Sequence, residues 1–253
     1  MAVTKKDLSN DLLAMGLKPG DTLLVHSSMK SIGPVEGGPD AVLDGLSEFL
    51  RPGLLVFPTL SYESVDAGHP LFSVRDTPSC VGLLTELFRK RPEAVRSWHP
   101  THSVAASGDD AARFAAGHEL DETPCCRKGP WGRLLDRKAR ILFVGTGISC
   151  NTFLHGVEEW NKVPDYFTKK PEMLKITTPG GRIIERGYYR HDQHNSNNYA
   201  KLEPLFIEKG AMTAGKFGAA ECRLGDCVLM ESIVTDLLKS DIRFFFHDRM
   251  PAS

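Results

Sequence analysis

A short apolar run, Ile141-Leu142-Phe143-Val144, breaks on Gly145-Thr146-Gly147. It leads into Asn151-Thr152-Phe153-Leu154-His155-Gly156-Val157-Glu158. An apolar run ending in a glycine turn reads as a buried strand. Phe153 through Trp160 then starts a helix, with Thr152 as its N-cap. On that helix His155 and Glu158 are three apart and share a face. A histidine at a strand-to-helix turn, oriented by a carboxylate one turn on, suits a general base. The plainer alternative is a solvated His–Glu pair, and these residues alone leave it ahead.

The same strand-and-helix alternation runs along the chain. Asp7 to Met15 fits an opening helix, and Leu23 to His26 and Leu54 to Pro58 fit strands around a helix at 39–50. Gly82 to Lys90 fits a helix, Ser103 to Ser107 a strand, and Ala111 to Gly117 a short helix. Such alternation indicates a sheet with helices on its faces. Leu174–Thr178 and Arg182–Arg186 flank Pro179-Gly180-Gly181 as a hairpin, which predicts that the central sheet is mixed. No repeat, low-complexity tract or linker marks a second unit, so residues 1–253 are expected to form a single compact α/β domain.

Leu23 to Gly38 joins the first strand to a serine- and glycine-rich loop ahead of the helix at 39–50. Glycines let a backbone approach a ligand closely, and a helix N-terminus attracts anions. Neither a Walker loop nor a Gly-x-Gly-x-x-Gly fingerprint is present. By itself such a turn is weak evidence.

The order of the segments carries more. Leu17-Lys18-Pro19-Gly20-Asp21 precedes Val25-His26-Ser27-Ser28. Then follow Val56-Phe57-Pro58-Thr59, Arg96-Ser97-Trp98-His99-Pro100, Gly129-Pro130-Trp131-Gly132 and Asn151-Thr152-Phe153-Leu154-His155. This series resembles the aminoglycoside 3-N-acetyltransferase family, the antibiotic acetyltransferases that lack the GNAT fold, from about Leu8 to Leu238. The resemblance implies a single α/β unit with a cleft where acetyl-CoA meets an acceptor amine. It makes His155 the general base, Glu158 its orienting acid, and Thr152, with the N–H groups from Gly145 to Asn151, a support for the oxyanion. It assigns His26, Ser27, Ser28, Ile32, Val35 and Gly37 to the pantetheine arm and pyrophosphate. Arg96, Ser97 and His99 match another motif of the cleft. Arg96 either pairs with a phosphate or ties a loop through carbonyl contacts. His102 reads as structural or substrate-facing.

Departures concern the acceptor. The Leu60–Thr77 segment is short, and its acids are only Glu63, Asp66 and Asp76. Amides and histidines dominate Arg190–Tyr199, where the family often has aspartates, and Lys128-Gly129-Pro130 lacks the family's usual acid and serine. Tyr62, Glu63, Asp66 and Asp192 are the expected acceptor contacts. A polycation needs anionic walls, so the acceptor is read as an aminoglycoside or a smaller, less cationic amine.

Composition excludes other classes. A formal charge of -1 gives no polybasic signal for nucleic acid or anionic membrane. No apolar run reaches membrane length and Met1–Lys6 has no signal-peptide core, so a cytoplasmic monomer or homodimer is expected. The six cysteines form no Cys-x-x-Cys pair and read as reduced thiols. Cys150, beside the proposed turn, is either a packing residue or a reactive thiol. His191, Asp192 and His194 suggest a metal site but lack a third ligand of defined spacing, so no metal is expected. A catalytically dead module that senses CoA is the remaining rival.

Overall fold

The computed structural model describes residues 2–108, 110–192, 196–248 and 250. Among the described residues ten strands form two sheets: β1 (Thr22–Ser27), β2 (Leu54–Pro58), β3 (Leu71–Ser73), β4 (Val95–Arg96), β5 (Val104–Ser107), β6 (Arg140–Val144), β7 (Glu172–Thr177), β8 (Ile183–Tyr188), β9 (Met212–Phe217) and β10 (Ala220–Asp226). The main sheet has the order β4-β5-β2-β1-β6-β10-β9. Its centre, β2-β1-β6, is parallel, with Leu24 beside both Val56 and Ile141. The flanking strands are antiparallel.

Side-chain alternation assigns each residue of β1 to a face. Leu23 and Val25 pack with Leu8, Leu12, Val42, Leu46 and Phe88, from the helices Lys5–Ala14, Gly38–Leu50 and Leu83–Phe88. Leu24 packs the other way, with Trp131, Phe153, Leu154, Val157, Met230 and Val234, from the helices Pro130–Asp136, Thr152–Trp160 and Cys227–Ser240. His26 keeps Leu24's parity and stacks on Phe143, ring centroids 5.3 Å apart. A polar ring on the apolar face of the central strand is thereby aimed at the helix that carries His155.

The main sheet is mixed, but not because of the hairpin. β7 pairs with β8 on one side and with β3 on the other, as a separate three-stranded sheet. Leu174 and Ile176 bury only one face, against Val65, Phe72 and Val74, and this makes a small core of its own. The helix Thr152–Trp160 begins one residue early: Asn151 holds the cap position without a capping bond, and Thr152 is the first helical residue.

The C-terminal segment folds back over the region preceding the helix Glu203–Glu208. Phe245 meets the Tyr199 ring edge-on at 4.9 Å. Asn198 Nδ2 donates to Phe245 O at 2.7 Å, and Lys201 Nζ donates to Phe244 O at 2.6 Å.

Candidate active site

A cleft of about 480 Å³ opens at the carboxyl ends of the parallel strands, lined by His26 and Ser27 of β1, Pro58 of β2 and Thr146 just past β6. β2 lies on one side of β1 and β6 on the other. Open α/β sheets place ligands at such a switch point. Gly145 makes the junction: its φ is 59°, and a Cβ there would sit 2.2 Å from Ser31 Cβ. The glycine thus lets the turn after β6 press against the serine loop after β1.

Thr152 and His155 reach the cleft from their helix. Glu158 lies on the same helix but is fully buried behind it. The expected direct His155–Glu158 contact is replaced by a bridge: His155 Nδ1 is 2.9 Å from Tyr166 Oη, which donates to Glu158 Oε2 at 3.1 Å. Tyr199 donates to the same oxygen. The His191 ring stacks on His155 at 4.8 Å and 14°, and its Nε2 lies 2.7 Å from Glu159 Oε1. Tyr166, Tyr199 and Glu159 are therefore neighbours of His155 that sequence reasoning missed, and His191, weighed there only as a metal ligand, stacks on the imidazole instead.

Burial sets the charge states. It pushes the His26 imidazole down to about 3 and His102 well below the usual histidine range, so both walls are neutral. Cys150 is exposed on the cleft, but its sulfur turns back onto Gly147 O at 3.0 Å.

The sequence profile of the aminoglycoside 3-N-acetyltransferases matches residues 24–239. The chain belongs to the aminoglycoside 3-N-acetyltransferase family. It is 31% identical over 247 residues to the SPbeta prophage-derived aminoglycoside N(3')-acetyltransferase-like protein YokD of Bacillus subtilis strain 168, with 87% of each chain covered. Aminoglycoside acetyltransferase AAC(3)-IVa, as a histidine-to-alanine mutant in complex with a gentamicin, superposes with a TM-score of 0.84 at 28% identity, covering 98% of this chain and 92% of that one. AAC-IIIb in its binary complex with CoASH gives 0.84 at 25% identity, covering 99% and 100%.

Within this acetyltransferase, two shared motifs turn out to be scaffolding. Arg96 takes the second of its two readings. Its guanidinium donates to Thr77 O at 2.6 Å, Thr59 O at 2.9 Å, Ser103 Oγ at 3.1 Å and Val74 O at 3.3 Å. It also lies over the Phe72 ring at 4.8 Å, so it bolts the small sheet to the main one. With its donors spent on protein oxygens it does not face the cleft. Ser97 Oγ pairs with His118 Nδ1 at 2.8 Å, and His99 Nδ1 accepts the His102 N–H at 3.0 Å. Both are buried behind the wall rather than in it. Trp131 Nε1 donates to His102 O at 3.0 Å, which leaves the His102 ring on the cleft.

Of the residues expected at the cofactor, only His26 and Ser27 line the cleft. Ile32 is core, and Val35 is held by a bridge to Val3. Ser28 N–H is spent on Val144 O at 2.9 Å, and Gly37 caps the helix Gly38–Leu50 with φ 81° outside the cleft wall. On the acceptor side Tyr62 and Asp192 line the cleft, whereas Glu63 does not. Asp66 closes its own turn by accepting from Gly68 N and His69 N at 2.8 and 2.7 Å. Among the described lining residues Asp192 is the one acid and Arg190 the one permanent cation. Cys125, Glu159 and His191 bring donor atoms within 4.8 Å of one another, but Glu159 Oε1 already accepts Cys125 N at 2.7 Å beside His191. His194 lies outside the described residues.

Proposed function

We propose that this enzyme transfers the acetyl group of acetyl-CoA to an amine of an aminoglycoside or related amino-sugar acceptor, directly and in the cytoplasm. The observation that carries the reading is His155 on the cleft with its Nδ1 held 2.9 Å from Tyr166 Oη, which fixes the ring beside the substrates. The amine gives its proton to His155 and attacks the thioester carbon. The Thr152 hydroxyl supports the oxyanion, since the expected N–H groups of Gly145, Cys150 and Asn151 are spent on Glu221 O, Gly147 O and Ile148 O, and the C–S bond breaks to release the thiolate. The Cys150 sulfur, turned back onto Gly147 O, argues for direct transfer over an acyl-enzyme. Family membership and the CoASH- and gentamicin-bound relatives support the choice of substrates.

Asp192, the one acid among the described lining residues, favours a second reading of the acceptor, as a smaller or less cationic amine. A desolvated carboxylate–ammonium contact is worth roughly 1.5–3 kcal/mol, so a site short of two or three such contacts binds polycations weakly. Thiol release from acetyl-CoA, followed across an amine panel with mass spectrometry of the products, tests both readings. The expected result is turnover of an amino sugar, with a high Michaelis constant for tri- and tetracationic drugs. No thiol release with any amine would remove the enzymatic reading. Tight turnover of kanamycin- or gentamicin-type drugs would remove only the second.

A further inference from the structure

The helix does not bring Glu158 onto the imidazole of His155; a tyrosine stands between them. Tyr166 Oη is 2.9 Å from His155 Nδ1 and 3.1 Å from Glu158 Oε2, to which it donates. A phenol has one proton. Given to the carboxylate, it leaves Tyr166 Oη as an acceptor toward the ring. His155 then holds its own proton on Nδ1 and its lone pair on Nε2. Burial keeps the Tyr166 phenol well above its usual titration range, so that proton stays in place.

The chain is bent to make this contact. Lys162 and Asp165 both have φ of 57°, an uncommon conformation for residues other than glycine. The bend returns Tyr166 beneath the helix it has just left. Asp192 N–H donates to Tyr166 O at 2.8 Å and fixes the backbone from the other side. Uncommon backbone held by its surroundings is a mark of functional positioning.

We propose that Tyr166 is a positioning residue for acetyl transfer: it fixes the Nδ1–H tautomer of His155 and carries the charge of the buried Glu158 to the ring. The inference rests on His155 being the base. As the amine nitrogen bonds to the acetyl carbon, its proton moves to Nε2 and the thiolate leaves with the C–S electron pair. The imidazolium that forms keeps its Nδ1–H on Tyr166 Oη, whose own hydrogen stays on Glu158. His155 returns to neutral by giving the Nε2 proton to the thiolate or to water. Tyr199 plays a different part, since it donates to Glu158 and meets His155 ring to ring, at 5.4 Å.

Among the described residues, His191 stacks on the ring at 4.8 Å and Glu159 reaches it through His191. Arg190 and Asp192 line the same cleft. Tyr166→Phe leaves all of these unchanged and keeps the aromatic packing. We expect kcat to fall at least about tenfold while both Michaelis constants hold, and the acid limb of the kcat/KM profile to move to lower pH. Glu158→Gln added to Tyr166→Phe should cost far less than it costs alone. Tyr199→Phe should lower kcat less than Tyr166→Phe, because the His155–Tyr166–Glu158 line survives. An unmoved acid limb, additive losses, or equal losses in the two tyrosine variants would overturn the proposal. His155→Ala separates the two levels: a loss of roughly two to four orders in kcat keeps the base even if the tyrosine fails. Near-normal turnover of His155→Ala would remove the base and the tyrosine's role with it.

Discussion

Arg96 shows what a side chain can mean once its neighbours are known. Its sequence motif permits either a phosphate partner or a tie between loops, and nothing local decides between them. The buried carbonyls of Thr59, Val74 and Thr77 decide. Burial lowers its guanidinium to about 9, which still leaves it charged at neutral pH. Arg96→Met would strand those carbonyls at about 1–3 kcal/mol for each one left unpaired. Denaturant unfolding should show a loss of roughly 3 kcal/mol or more, with the Michaelis constant for acetyl-CoA unchanged. A raised constant with intact stability would restore the phosphate reading. The same contrast separates His155 from its partners. A histidine after a strand and a glycine turn is visible in the sequence because the geometry is local. Tyr166 and Tyr199 are not visible, because they reach Glu158 from 8 and 41 positions away.

Among elements, local periodicity was enough for most of the frame. The apolar runs of β1, β2 and β6 and the helices at 38–50 and 152–160 stand where their patterns put them. The β7–β8 hairpin was legible as a hairpin, but its sheet was not, because the pairing with β3 joins residues about a hundred positions apart. β9 and β10 escaped notice because Gly215, Gly218 and Gly225 interrupt any strand-like run. The turn after β6 gives a test at this level. Gly145→Ala would combine a left-handed backbone with a Cβ 2.2 Å from Ser31 Cβ. Together these should cost roughly 2–5 kcal/mol. The Ser27–Ser31 loop must shift to make room. Thermal melting with and without acetyl-CoA should show both a lower melting temperature and a smaller ligand-induced rise. A full ligand response would mean that the loop does not hold the cofactor.

The whole molecule carries an acid weakness in its interior. His26 and His118 are pushed by burial to about 3, and His99 and His102 well below the usual range. Each is neutral when folded and free to bind a proton when unfolded. Stability from these groups is therefore complete above the ordinary histidine pKa of about 6.5 and is lost as pH falls toward about 3. Each contributes a slope of up to about 1.4 kcal/mol per pH unit in that window. The melting temperature should drop steeply below neutrality, and His118→Gln, if it folds, should flatten the drop by about one proton. A pH-independent melting temperature between neutral and mildly acid conditions would contradict this account. The chain's far end has a reach of a different kind. Phe244 and Phe245 hold Asn198 and Lys201 by their main-chain oxygens and seat Tyr199, which in turn holds the carboxylate behind His155. A lineage under selection for a new acceptor could retune its base through this tail, by substitutions that no substrate ever touches.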